Sequence, residues 1–188
     1  ALQRSWAAEQ LVHANFAMHT KDHEDHTFSG IMFDIRAKSS LPVEYIEIQT
    51  LAVRGELGPI TVWVTDRTFR GKHESKQCWK LIYSKTEPQC CSALRTLHLH
   101  SSFRLCPGES CGVYIHSSAP GDRQIVYDNQ RSELESDDCL EVLPGLAHLS
   151  EEPFSDRHWW GSPWRARRAF VGRVGYGVRW LMWNPESA

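Results

Sequence analysis

The stretch FSGIMFDIRA, residues 28–37, sets Ile31, Phe33 and Ile35 against Met32, Asp34 and Arg36. That alternation has the two-residue period of a β-strand with one face turned to a core. The same grammar recurs downstream. VEYIEIQTLAV sets Ile46 and Ile48 against Tyr45, Glu47 and Gln49, and PITVWVTD sets Ile60, Val62 and Val64 against Thr61, Trp63 and Thr65. CWKLIYS brings Trp79, Leu81 and Tyr83 to one side, and FVGRVGYGVRWLMW does the same for Val174, Tyr176, Val178, Trp180 and Met182. RTLHLHSSF, CGVYIHS, QIVYDN and CLEVL complete a set of about nine short strands, separated by Gly, Pro, Ser and Asp turns. No helical crossovers lie between them, which excludes a parallel α/β sheet and predicts an all-β fold, an antiparallel β-sandwich or jelly roll.

Upstream the pattern changes. SWAAEQLVHANFAM, residues 5–18, predicts a helix, with Ser5 as its cap and Leu11, Ala14, Phe16 and Met18 as apolar positions. The expected organisation is an N-terminal helical arm and polar hinge over 1–27, followed by a β-sandwich domain over 28–188. At 188 residues, 41% hydrophobic and 23% charged, the chain is long enough to bury a substantial core. No apolar run approaches the roughly 18 residues that a membrane-spanning helix needs, so a soluble or peripheral protein is expected. The chain begins at Ala1, and a processed start would fit an organellar location such as a plastid. A net charge of −2 gives no global field for nucleic acid. The six cysteines read as free thiols, or as a local Cys106–Cys111 disulfide in an oxidising compartment.

Candidate chemistry is sparse. HTKDHEDHTF, residues 19–28, holds three histidines and three acids, but His23-Glu24 is followed by His26, one position short of the His-Glu-x-x-His of a zinc helix. His19 and His23, with His26 or Asp22, would chelate only if the first helix reached them. The alternative is a hydrated connector. LHLH places His98 and His100 on one strand face, and His116 offers a third imidazole, which is the beginning of a jelly-roll metal site without its acid. If Leu97 and Leu99 face the core, both histidines face solvent instead. No Gly-x-Ser-x-Gly, phosphate loop or placed carboxylate pair is present, so no enzyme and no cofactor are expected.

The last third segregates charge. Residues 131–156 hold eight acids against Arg131, and residues 157–183 hold six arginines and no acid. Within that basic stretch, DRHWWGSPWRARRAFVGR combines Trp159, Trp160 and Trp164 with Arg165, Arg167 and Arg168. Indoles and guanidinium groups are the usual anchors of protein interfaces, and these six residues are the expected partner-binding set. The competing reading makes the tryptophans core and pairs the arginines with the acidic block.

Five stretches together resemble a β-sandwich module of protist, especially dinoflagellate, proteins. They are SGIMFDIRA, ITVWVTDRTFRGKHESKQCWKLI, GESCGVYIHSS, LPGLAHLSEEPFSDRHWWGSPW and FVGRVGYGVRW, within a region from about Ser29 to Trp183. The architecture is also distantly similar to the jelly-roll PHR domains of some ubiquitin ligases. The resemblance implies a non-enzymatic interaction module, a peripheral subunit or domain of a larger protein assembly. A specific version is an accessory subunit of an algal photosynthetic membrane complex. A lectin-like module using the same tryptophans, and a metalloenzyme on His98, His100 and His116, stand as alternatives.

Overall fold

The computed structural model describes residues 12–130 and 134–181. Thirteen strands follow in order: β1 Val12–His19, β2 His26–Phe28, β3 Gly30–Ala37, β4 Val43–Gly55, β5 Gly58–Asp66, β6 Lys80–Glu87, β7 Cys90–Leu105, β8 Ser110–Ser117, β9 Ile125–Asn129, β10 Glu135–Ser136, β11 Leu140–His148, β12 Trp164–Phe170 and β13 Arg173–Trp180. A four-stranded sheet has the order β1-β13-β4-β7. A nine-stranded sheet has the order β2-β9-β12-β11-β3-β8-β5-β6, with β10 paired to β11. All the pairings are antiparallel. The sandwich expected from the alternation is therefore present, with more strands than the sequence revealed.

Alternating side chains from the two sheets meet in one core. Ile46, Ile48, Leu51, Leu97 and Val178 of the small sheet join Ile31, Phe33, Ile35, Val62 and Val113 of the large one. Phe33 and Phe170 stack at 4.3 Å between ring centroids. Two polar clasps tie the sheets together at their margins. Arg95 on β7 donates to the buried Glu87 carboxylate on β6 at 2.6 Å, and that carboxylate also accepts the Tyr83 hydroxyl. Tyr176 on β13 donates to Asp137 at 2.6 Å, whose other oxygen accepts the backbone N–H groups of Cys139 and Leu140.

Among the described residues no N-terminal helical arm is found. Residues 12–18 of the segment predicted as helix, together with His19, form β1 and pair in continuous register with β13 from Val12–Trp180 to His19–Arg173. Met18 is 2% exposed, and Phe16 stacks on Tyr176 at 5.7 Å. The exposed edge of β13 supplies a complete ladder of hydrogen bonds, and that tertiary gain overrides the helix propensity of the alanines. The remainder of the predicted helix, residues 5–11, lies outside the described residues. The six cysteines are free thiols, with Cys111 and Cys139 buried.

The large sheet is covered on both faces. Segments 67–79 and 149–163 fold over its outer face and enclose a second apolar cluster of Met32, Phe69, Trp79, Tyr114, Phe154 and Trp164. Asp34 anchors the first segment by accepting the Thr68 hydroxyl at 2.6 Å and the Phe69 N–H at 3.0 Å. This cover explains why β3 is buried along nearly its whole length.

Two neighbouring strands break the alternation. Val142 of β11 lies in the sandwich core, while Leu146 packs into the outer cluster. Four residues apart, they would share a face in an unbroken strand. The register shift between Leu143 and Leu146 flips the strand over. Trp164 and Phe170 of β12, six apart, likewise point to opposite sides, and the flip falls at Arg167, which is skipped in the pairing and has φ 60°. These are adjacent β-bulges.

Candidate functional site

The residues singled out in the sequence are built into segment 149–163 and the strand after it. Its base is fastened at both ends, since Leu149 N–H donates to Pro163 O at 2.9 Å. Two histidines from sheet strands hold the middle. His116 Nε2 lies 2.9 Å from Ser150 O, and His148 Nε2 lies 3.0 Å from Ser155 O. A carbonyl only accepts, so each Nε2 carries the proton. His148 Nδ1 is then an acceptor, and Tyr114 donates its hydroxyl to it at 2.6 Å. Burial pushes both imidazoles toward the neutral form, with His116 lowered to about 4 and His148 to about 3 against the opposing pull of their carbonyl partners. Burial also raises the Tyr114 phenol well above its usual range. Phe154, in the left-handed region at φ 64°, plugs the segment into the outer cluster, edge-on to Trp63 and Tyr114.

The tip stands clear of this anchored base. Trp159 is 83% exposed and Trp160 63% exposed. Their rings stack on one another at 4.3 Å and 14°, with His158 alongside at 5.9 and 5.5 Å. Gly161, at φ 118° with open space where a side chain would stand, completes the turn. Beside the indoles runs a groove of about 760 Å³ lined by Phe28, Asp122, Glu151, Glu152, Arg157 and the tryptophans themselves. Glu151 is held there by the Gly121 N–H at 2.9 Å.

The six expected partner-binding residues do not form one surface. Trp159 and Trp160 are displayed together. Trp164 is 8% exposed and stacks on His148 at 3.8 Å, so its face is taken up by the protein itself. Arg165 donates to Ser162 O at 2.6 Å and Trp164 O at 3.1 Å, bracing the segment's exit. Arg168 donates to Ala166 O at 2.8 Å and lies 5.9 Å from the Tyr127 ring. Arg167 is exposed at the bulge.

The histidines of the alternative metal site are also separated. Leu97 is buried and Leu99 packs on the core, and His98 and His100 are exposed on β7 of the small sheet, with the His100 ring 5.0 Å from that of Tyr83. His116 is buried on the outer face of the large sheet. The sandwich core lies between them, so His98, His100 and His116 do not converge. In HTKDHEDHTF, Asp128 accepts the N–H groups of His23 and Glu24 at 2.8 and 2.7 Å, and Arg54 forks onto Asp22 at 2.7 and 2.9 Å. The carboxylate–guanidinium pairing holds the Arg54 cation well above its ordinary range. The polar stretch is a fastened connector between β1 and β2. Among the described residues no group of three or more His, Cys, Asp or Glu side chains is placed to hold a metal ion.

Sequence reasoning missed Tyr114, His148 and Phe154. Tyr114 meets His148 across 34 positions and Phe154 packs on Trp63 and Tyr114 from earlier strands, and the only local signal was a histidine sitting within the apolar runs GVYIHS and GLAHLS.

No family model matches the chain, and no curated protein matches it. Among solved structures it is similar to one described as the structure of infectious bursal disease virus Gt strain, at 10% identity and a TM-score of 0.22. The match covers 95% of this chain and 43% of the viral one, so this chain spans less than half of that chain's length. Likeness at that level carries no argument about fold or function. Among the described residues no helix is long and apolar enough to cross a membrane.

Proposed function

We propose that this chain is a non-enzymatic binding module that engages a partner protein, as a peripheral part of a larger assembly, through the tip of segment 149–163. The observation that carries the reading is the stacked Trp159–Trp160 pair, largely exposed, on a segment whose base is fixed by His116, His148 and Phe154. Two indoles left in water are costly to keep unless a partner covers them, and large aromatics dominate interface energetics. The fixed base adds to this, because little conformational entropy is lost when the tip docks. Arg157 at the rim supplies a further polar contact.

The test is co-purification from the native source, comparing wild-type protein with a Trp159→Ala/Trp160→Ala variant of equal thermal stability. Loss of a defined, reproducible partner in the variant supports the reading, and unchanged recovery of that partner opposes it. A second reading, a lectin-like carbohydrate site, is favoured by one observation. Asp122, Glu151 and Glu152 line the groove next to the indoles, where carboxylates accept from sugar hydroxyls while a ring stacks on an indole face. Tryptophan emission titrated with oligosaccharides separates the two.

A further inference from the structure

The paired bulges in β11 and β12 leave a cavity on the outer face of the large sheet, which shares no lining residue with the groove beside the Trp159–Trp160 tip. It has a volume of about 220 Å³ and is lined by Phe69, Arg70, Gln130, Pro144, Gly145 and Arg167 among others. That volume falls below the range of about 300–1,000 Å³ found for drug-sized ligands and suits a small ion or the head of a larger molecule.

Three features give the cavity a chemical character. Two arginines line it, and neither Arg70 nor Arg167 has a carboxylate within 4 Å among the described residues. The nearby acid that acts on Arg70 is Asp34, and its oxygens are already occupied by Thr68 and the Phe69 N–H. The Phe69 ring, 5.5 Å from the Arg70 guanidinium, supports that side chain. Arg167 occupies the left-handed region at φ 60°, a conformation that costs free energy in a non-glycine residue and is concentrated at functional positions. Its carbonyl accepts the Gln130 N–H at 3.0 Å, which fixes the bulge and the direction of the residue. Opposite, Gly145 runs so close to β3 that a Cβ would lie 1.6 Å from Met32 O, so the wall is bare backbone.

The geometry points to a binding site for a small oxyanion, a phosphoryl or carboxylate group held between Arg70 and Arg167. Guanidinium forks match the oxygens of either group and recognise them in bidentate fashion. The cavity lining holds these two cations and no Asp or Glu, and an anion relieves that imbalance. The site is independent of the proposed partner surface.

The test is isothermal titration of the wild-type chain with inorganic phosphate and, separately, acetate, at constant ionic strength set with sodium chloride. Saturable one-to-one binding of phosphate, of acetate or of both is expected, and the pattern tells a phosphoryl from a carboxylate ligand. Arg70→Gln and Arg167→Asn should each weaken that binding at least tenfold, asparagine being chosen because it tolerates the left-handed backbone. Arg123→Gln, on an exposed loop away from the cavity, should leave it unchanged. Arg70→Gln, in an exposed position, keeps the test valid if Arg167→Asn fails to fold. Absence of saturable binding by either ion, or equal binding in Arg70→Gln and wild type, would overturn the proposal.

Discussion

Tyr114 on β8 donates its hydroxyl to His148 Nδ1 on β11 at 2.6 Å, leaving the opposite ring nitrogen to donate to Ser155 O at 3.0 Å. One tautomer thus links a fully buried phenol to the segment that carries Trp159 and Trp160. Replacing Tyr114 with phenylalanine removes the donor and leaves a buried nitrogen unpaired. The expected cost is about 1–3 kcal/mol, read by urea unfolding. A cost near zero would mean that the link does not support the segment.

The same histidines give stability a defined pH dependence. In the unfolded chain they titrate near about 6.5, while in the folded protein burial lowers them to about 4 for His116 and about 3 for His148. Below about pH 6.5 the unfolded state therefore binds more protons, so stability falls as pH falls. The slope is about 1.4 kcal/mol per pH unit for each imidazole. Asp34, whose carboxyl is raised by burial, acts with opposite sign close to its own titration. Glu87, whose burial is outweighed by the Tyr83 and Arg95 hydrogen bonds that lower its carboxyl, acts in the same direction as the imidazoles, and the window set by the two imidazoles is about pH 6 to 5. Urea unfolding across that window should show the decline, and His116→Gln should roughly halve its slope.

The tryptophans divide by burial. Trp164→Ala should destabilise by about 3–5 kcal/mol, because it empties a packed aromatic cluster. Trp159→Ala, 83% exposed, should stay within about 0.5 kcal/mol of wild type. Thermal unfolding of the two variants decides this, and equal losses would contradict the placement of Trp164 in the outer cluster.

Gly145→Ala tests the bulge. A Cβ at this position would lie 1.6 Å from the Met32 backbone carbonyl oxygen, which no side-chain rotation can move aside, so strands β3 and β11 must part. A loss of more than about 3 kcal/mol, or failure to fold, is expected. Near-normal thermal stability would show that the strands are spaced differently.

What the sequence made legible follows from periodicity. β3, β5, β8 and β13 keep a two-residue alternation through their core positions, and β4 keeps it from Ile46 to Ile48 before its ladder shifts at Thr50. β12 was missed because its bulge puts Trp164 and Phe170, an even number apart, on opposite faces. The part of β11 beyond Leu143 was lost for a related reason, since Pro144-Gly145 reads as a terminator where the strand only bulges. β1 was read as helix because its alanines favour one locally, while the β13 edge that claims it lies some 160 positions away. The Trp159–Trp160 tip was legible as composition. The burial of Trp164 was not, because segment 67–79, which helps to cover it, carries no local mark of that role.

The measurement closest to the central claim is the affinity of the purified chain for its isolated partner, compared with the Trp159→Ala/Trp160→Ala variant. At least a hundredfold weaker binding of the variant, about 2.7 kcal/mol or more, is expected with an unchanged unfolding curve. Equal affinity in the two proteins would contradict it.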